Sequence, residues 1–295
     1  MMKIAAVLQS MRVPFLVLTP VCVFLGASTV TTSETSISLL LLVLLGALLA
    51  HISVNALNEY SDFKSGLDLA TTRTPFSGGS GALPENPEMS GAVFAVGAVS
   101  LMLTLTIGGF FVWKYGAGIV PIGVTGMVLI VTYTDWINRY PFLCLLAPGI
   151  GFGFLMVVGT QFVLQGEYVP LSVLVAVIPF FLVNNLLLLN QYPDIVADAS
   201  VGRNHFPIAY GVSLSNLAYE LFALATTASI IIYVLLGYLP AISFIALLPM
   251  PLAFFALYGA IKYRENIGSY PHYLGANVGV AILAPLLLGL SIIIG

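Results

Sequence analysis

Long apolar segments alternate with short polar ones along nearly the whole chain. Nine of these segments hold about 20 mostly apolar residues between charged or turn residues, which is the length that a helix needs to cross a bilayer. They lie near 13–30, 37–57, 90–112, 117–133, 142–164, 170–189, 214–236, 239–261 and 273–294. The pattern predicts an all-α polytopic membrane protein with nine transmembrane helices in a single bundle. The first segment also resembles a signal peptide, but we favour a retained span.

The composition agrees with a lipid environment and excludes a protein that binds nucleic acid. Of 295 residues, 59% are hydrophobic and 7% are charged, whereas an ordinary soluble domain has about 25% charged residues. A net charge of -3 provides no basic surface, so nucleic acid is excluded as a partner. Cys22 and Cys144 lie in separate apolar segments, so neither a disulfide framework nor a zinc site is expected.

The cations predict how the chain is oriented in the membrane. Eight of the nine Lys and Arg residues fall on one side of the predicted spans, and Lys114 is the exception. These eight are Lys3, Arg12, Lys64, Arg73, Arg139, Arg203, Lys262 and Arg264. The positive-inside rule makes that side cytoplasmic, which puts the N-terminus in the cytoplasm and the C-terminus outside a cell membrane.

Two acidic motifs follow the second and the sixth predicted spans and resemble each other. The first is Asn58-x-Tyr60-x-Asp62, followed by Asp68, and the second is Asn190-x-Tyr192-x-Asp194, followed by Asp198. Four predicted spans separate the two copies, and an even number preserves the direction of the chain. We therefore expect one domain, residues 1–295, built from parallel pseudo-repeats of about 1–133 and 134–261, with the ninth helix at 273–294 added.

The first motif continues a polar stripe on the second predicted span. On a helix, His51, Asn55, Asn58 and Asp62 lie within about 60° of one another. An Asp at the centre of a bilayer costs roughly 2.5 to 3.5 kcal/mol, so the stripe should face a cavity. Acidic residues at span ends can also be simply solvated, but the repetition of the motif favours a central cavity that opens toward the cytoplasm.

Converging carboxylates need a positive partner. Asp62, Asp68, Asp194 and Asp198 would otherwise raise one another's pKa values. Carboxylate and amide oxygens are the ligands that Mg²⁺ prefers, and it usually bridges protein carboxylates to substrate phosphates. Four cations of the same loops either bind phosphate oxygens or serve only to set the topology. They are Lys64, Arg73, Arg139 and Arg203.

These motifs resemble those of the UbiA superfamily of intramembrane prenyltransferases over essentially the whole chain. Members have nine helices, an Asn-x-x-x-Asp motif with a further Asp after helix 2, and an Asp-x-x-x-Asp motif after helix 6. The spacing from Asp62 to Asp68 and the segment 74–81 are similar to the branch that prenylates 1,4-dihydroxy-2-naphthoate in menaquinone biosynthesis. Arg12, close to Pro14, is similar to an Arg-Pro-like start in many members, whereas Arg203-Asn204-His205 departs from the usual Lys-Arg-Thr.

The resemblance implies a Mg²⁺-dependent transfer of a prenyl group from an isoprenyl diphosphate to an aromatic acceptor through an allylic cation. It implies that the metal is held by Asn58, Asp62, Asp68, Asp194 and Asp198, of which the four Asp are catalytic. Other candidate substrate-binding residues are Arg12, Asn58, Lys64, Arg73, Tyr133, Arg139, Asn190 and Arg203. Tyr60, Tyr133 and Tyr192 either stabilise the cation or anchor the membrane interface.

Other interpretations stay open at this stage. The acceptor is 1,4-dihydroxy-2-naphthoate, 4-hydroxybenzoate or another ring, and a membrane transporter is the rival from another class. The glycine-rich segment 77–81 forms either an anion-binding nest or a flexible connection. His205 is expected at the membrane interface, and roles for Glu220, Asp135 and His51 are undecided.

Overall fold

A computed structural model describes residues 2–31 and 36–295, without the side chains of Met2 and Lys3. All regular elements in these ranges are helical. The longer helices are α1 Met2–Ser10, α2 Leu18–Ser28, α3 Ile37–Ser65, α4 Ser90–Tyr115, α5 Val120–Thr132, α6 Pro141–Gln165, α7 Pro170–Asn190, α8 Phe206–Leu235, α9 Met250–Tyr263 and α10 Pro271–Ile294. The short α-helices are Leu67–Ala70, Ala82–Glu85 and Ile195–Ser200, and 3₁₀ turns cover Val13–Val17, Pro87–Met89, Gly116–Ile119, Ile137–Arg139, Ala241–Leu247 and Arg264–Ser269.

Seven helical segments of the described chain are long and apolar enough to cross a membrane. An eighth is reached if Ile4–Ser10 and Val13–Ser28, bent by 49° at their junction, form one span. One of the seven, Pro87–Thr132, covers two of the nine predicted spans, and its 46 residues exceed the roughly 20 that a bilayer requires. Gly116 within it has a φ of 68°, so the segment is not one regular helix. An integral multi-pass membrane protein is therefore supported, and the number of nine spans stays a prediction.

Helix α7 lies at the centre of the largest apolar cluster. Its residues Val175, Ile178 and Leu182 are fully buried and pack with parts of α2, α6, α8, α9 and α10. A helix that is apolar on every face is typical of the interior of a bundle. Helices α6, α8 and α10 pack directly against α7, which ends at the second acidic motif.

Buried polar side chains also hold α7 in place. The Asn185 amide donates to the Tyr219 carbonyl of α8 at 2.9 Å, and the Asn277 amide of α10 donates to the Asn185 carbonyl at 3.0 Å. The Tyr219 hydroxyl donates to the Asn277 side-chain oxygen at 2.8 Å. Such bonds join helices in a bilayer, where the apolar solvent offers the polar groups no other partner.

Breaks in the helices fix where the acidic motifs lie. Helix α3 continues through Asp62 to Ser65 and ends at Gly66, whose φ of 82° is a left-handed helix cap. Asp68 therefore lies in a new short helix. The second motif is also interrupted, because α7 ends at Asn190 and the next helix starts only after Asp194. Asn190, Asp194 and Asp198 thus do not lie along one continuous helix.

Candidate functional site

Both acidic motifs line one cavity of about 740 Å³. The first motif reaches it from the end of α3 and the short helix after it, and the second from the end of α7 and the turn that follows. The lining includes Asn58, Asp62, Asp68, Asn190, Asp194 and Asp198. The five residues predicted to bind metal, together with Asn190, therefore come together in the fold.

Arg203 joins the two motifs electrostatically. Its guanidinium contacts Asp62, and its Nη1 donates to Asp198 Oδ1 at 2.8 Å. Burial opposes the charge of Arg203, but these two carboxylates raise its pKa above the ordinary value. The cation found between the motifs is thus one of the four that the sequence predicted either to bind phosphate or to set the topology.

The two remaining aspartates carry carboxyl groups that are less well paired. Burial, together with the nearby carboxylates of Glu59 and Asp62, raises the pKa of Asp68 to about 7. Burial and nearby Asp198 likewise raise the pKa of Asp194 to about 7, against the hydrogen bond from the Gly78 N–H. A divalent cation that bound these groups near neutral pH would therefore displace their protons to solvent.

The donor set of the cavity fits Mg²⁺. Within the two described ranges no three His, Cys, Asp or Glu side chains are close enough together to hold a metal ion as they stand. However, Asp68 Oδ2, Asp194 Oδ1 and Asn190 Oδ1 are buried without a hydrogen-bond partner among the described residues. Buried oxygens of this kind are costly unless they are satisfied, and all three are hard ligands suited to Mg²⁺.

The other predicted substrate-binding residues divide into two groups. Arg12 and Tyr133 line the cavity together with Arg203. Arg12 lies at the bend after α1 with a left-handed φ of 51°, and its Nε is buried without a partner among the described groups.

Three predicted cations lie outside this cavity and are exposed: Lys64, Arg73 and Arg139. The Lys64 ammonium is 5.6 Å from the centre of the Tyr60 ring, and Arg73 forms an exposed ion pair of 2.8 Å with Glu85. None of these three side chains lines the cavity that holds the predicted metal ligands.

Two further residues contact the site, although neither was predicted to belong to it. Glu59 is fully buried, and its carboxylate accepts hydrogen bonds from the backbone and hydroxyl of Ser80. His205, which was expected at the membrane interface, is 1% exposed. Its Nε2 lies 2.9 Å from Asp198 Oδ2. The position of Glu59 within the first motif was the available signal, whereas nothing in the spacing of His205 indicated its contact.

The roles of His51, Asp135 and Glu220 were left open by the sequence, and the structure places one of them at the cavity. His51 lines the cavity and its Nδ1 lies 2.9 Å from the Thr19 hydroxyl. Asp135 is exposed and accepts a hydrogen bond from Ser61 at 2.8 Å, and Glu220 is exposed on α8.

The rest of the cavity is apolar. It extends from the acidic motifs between α3, α4, α5 and α6, where its lining includes Val43, Ile107, Ile122 and Leu155. The cavity therefore has one polar end with carboxylates and a long apolar end.

A family model described as the UbiA prenyltransferase family matches residues 18–290. A solved UbiA homolog from Archaeoglobus fulgidus bound to DMAPP and Mg²⁺ is 15% identical, with a TM-score of 0.71 over 97% of this chain and 98% of that one. A digeranylgeranylglyceryl phosphate synthase is 16% identical, with a TM-score of 0.66 over 100% of both chains. An apo UbiA homolog from Aeropyrum pernix K1 is 17% identical, with a TM-score of 0.65 over 95% and 97%. No curated protein matches the chain in sequence.

Proposed function

Because the chain belongs to the UbiA prenyltransferase family, we propose that it transfers a prenyl group from an isoprenyl diphosphate to an aromatic acceptor inside the membrane. One observation carries this proposal. The aspartates of both acidic motifs line the polar end of a cavity whose other end is long and apolar. Such a cavity suits a substrate with a charged diphosphate head and a hydrocarbon tail.

Asn58, Asp62, Asp68, Asp194 and Asp198 are the residues that would hold Mg²⁺. A solved relative with DMAPP and Mg²⁺ bound supports this cofactor, as do the unpartnered buried oxygens of Asp68 and Asp194. When bound, Mg²⁺ neutralises the diphosphate and stabilises it as a leaving group.

Other side chains of the cavity would bind the diphosphate, stabilise the allylic cation and hold the prenyl tail. Arg12 and Arg203 line the polar end, where their guanidinium groups are suited to diphosphate oxygens. Tyr133 and Asn190 complete this end, and the ring face of Tyr133 is suited to an allylic cation. The apolar end would hold the prenyl tail and exclude the water that would otherwise quench the cation.

Within the family we favour 1,4-dihydroxy-2-naphthoate as the acceptor, which assigns the protein to menaquinone biosynthesis. The spacing of Asp62 and Asp68 and the segment 74–81 support this choice. 4-Hydroxybenzoate or another ring is the alternative.

We also propose that the cavity opens toward the cytoplasm, with the N-terminus on that side.

An acceptor panel tests this proposal. Purified protein is incubated with Mg²⁺, geranyl, farnesyl or longer diphosphates, and 1,4-dihydroxy-2-naphthoate, 4-hydroxybenzoate or no acceptor. Pyrophosphate release and a prenylated product only with the naphthoate support the full proposal. A product with another ring keeps the reaction and overturns the acceptor. Absence of any product with every pair, from protein that binds Mg²⁺ and diphosphate, contradicts the proposed reaction.

A further inference from the structure

The segment 74–81, which we call the glycine loop, lies between the two acidic motifs. The backbone N–H of Gly78 donates to Asp194 Oδ2 at 2.9 Å. The next residue, Gly79, lies so close to Asp68 that an added Cβ would overlap the Asp68 carboxylate. One short stretch of backbone therefore contacts an aspartate from each motif.

The conformation of the glycine loop is fixed at its start by a turn. Thr74 N–H donates to the Ser77 carbonyl at 3.0 Å, and Ser77 N–H donates to the Thr74 hydroxyl at 2.9 Å. Gly78 and Gly79 then adopt φ values of 78° and 73°, which residues with a side chain rarely adopt. This geometry aims the Gly78 N–H at Asp194.

Glu59 holds the other end of the glycine loop. Its Oε2 accepts from the Ser80 N–H at 3.0 Å, and its Oε1 accepts from the Ser80 hydroxyl at 2.5 Å. The Glu59 side chain is fully buried, and the nearest Arg12 nitrogen is 4.0 Å away. A buried carboxylate is costly unless it is hydrogen-bonded, so the two bonds from Ser80 offset the burial of Glu59.

We propose that Glu59 is a positioning residue that anchors the glycine loop, so that the Gly78 N–H holds Asp194 by one carboxylate oxygen and leaves the other without a protein hydrogen bond. Asp194 Oδ2 carries the loop contact, whereas Asp194 Oδ1 is buried without a partner among the described groups. The inference rests on the proposed function, because it assumes that Asp194 is a metal ligand. Glu59 acts through the loop and does not itself bind substrate.

Two measurements on purified full-length protein test this role: amide hydrogen exchange of the glycine loop, and binding of the probe ion Mn²⁺. Glu59→Gln has one acceptor oxygen in place of two, and Ser80→Ala removes the hydroxyl donor while leaving Glu59 in place. We expect both variants to exchange the Gly78 and Ser80 amides faster. We also expect them to bind Mn²⁺ about 10- to 100-fold more weakly, as is typical when a partner of a metal ligand is lost.

Ser80→Thr keeps the hydroxyl and should restore both the exchange rates and the Mn²⁺ affinity, which a general loss of stability would not do. Glu88→Gln changes an exposed acid shortly after the loop and should match the parent. Ser80→Ala decides the matter if Glu59→Gln does not fold. Unchanged exchange, or faster exchange with unchanged Mn²⁺ binding, would overturn the proposal. A parent protein that binds no Mn²⁺ would instead overturn the metal site of the proposed function, and this inference with it.

Discussion

Among single residues, Arg203 links the two acidic motifs through its charge. It is the one side chain of the described residues that pairs with an aspartate from each motif, Asp62 and Asp198. Its side chain is 17% exposed and that of Asp62 is 8% exposed. Breaking a buried ion pair by removing one partner costs about 3 to 5 kcal/mol, because the other charge is left buried and uncompensated.

Arg203→Gln should therefore lower the unfolding temperature of metal-free protein in detergent, with a loss of stability of about 3 kcal/mol. Added Mg²⁺ should restore more stability in this variant than in the parent, because it becomes the main cation near Asp62 and Asp198. Thermal unfolding with and without Mg²⁺ measures both effects. Arg264→Gln is the control, because its pair with Glu265 is exposed and worth about 0 to 1 kcal/mol. Equal losses in the two variants would contradict this role of Arg203.

Among the helices, α6 packs closely against α7, and the second motif begins at the end of α7. Gly149 and Gly153 allow the two helices to approach closely. An added Cβ at Gly153 would overlap the backbone at Ala176 and Phe180, and one at Gly149 would overlap Phe180 and Asn184. The four-residue spacing places both glycines on one face of the helix.

Gly153→Ala should lower the unfolding temperature in detergent, since the two backbones must separate to admit the methyl group. Overpacking of this kind costs about 1 to 3 kcal/mol. Gly151→Ala in the same helix is the matched control, because an added Cβ there meets nothing within 4 Å. The same thermal stability for both variants would show that the contact between α6 and α7 is not tight.

Elements were predicted from the sequence more fully than their contacts. The spans near 142–164, 170–189 and 273–294 correspond to α6, α7 and α10, because a long apolar run has few alternatives to a membrane helix. The polar stripe from His51 to Asp62 faces the cavity, as expected from the cost of placing polar side chains against lipid. The bond between His205 and Asp198 and the contact of Gly78 with Asp194 depend on loops that have no periodic pattern, so the sequence did not indicate them.

The orientation in the membrane is a prediction for the whole molecule. Lys64 and Lys114 are exposed and lie on opposite predicted sides. Cys22 and Cys144 are buried and should give little background labelling. In intact cells a membrane-impermeant thiol reagent should label Lys114→Cys, and Lys64→Cys should be labelled only after permeabilisation. The reverse pattern would place the acidic motifs on the outer side.

The central claim is that the two acidic motifs form one diphosphate-ionising site, although they come from different parts of the chain. Its most direct test is Mg²⁺-dependent pyrophosphate release by Asp62→Asn and Asp194→Asn, each purified and folded. Glu167→Gln is the control, an exposed acid in the loop before α7. We predict loss of turnover in both aspartate variants, by roughly 100-fold or more if each is a metal ligand, and parent-like turnover in the control. Full turnover in either aspartate variant would contradict the shared site.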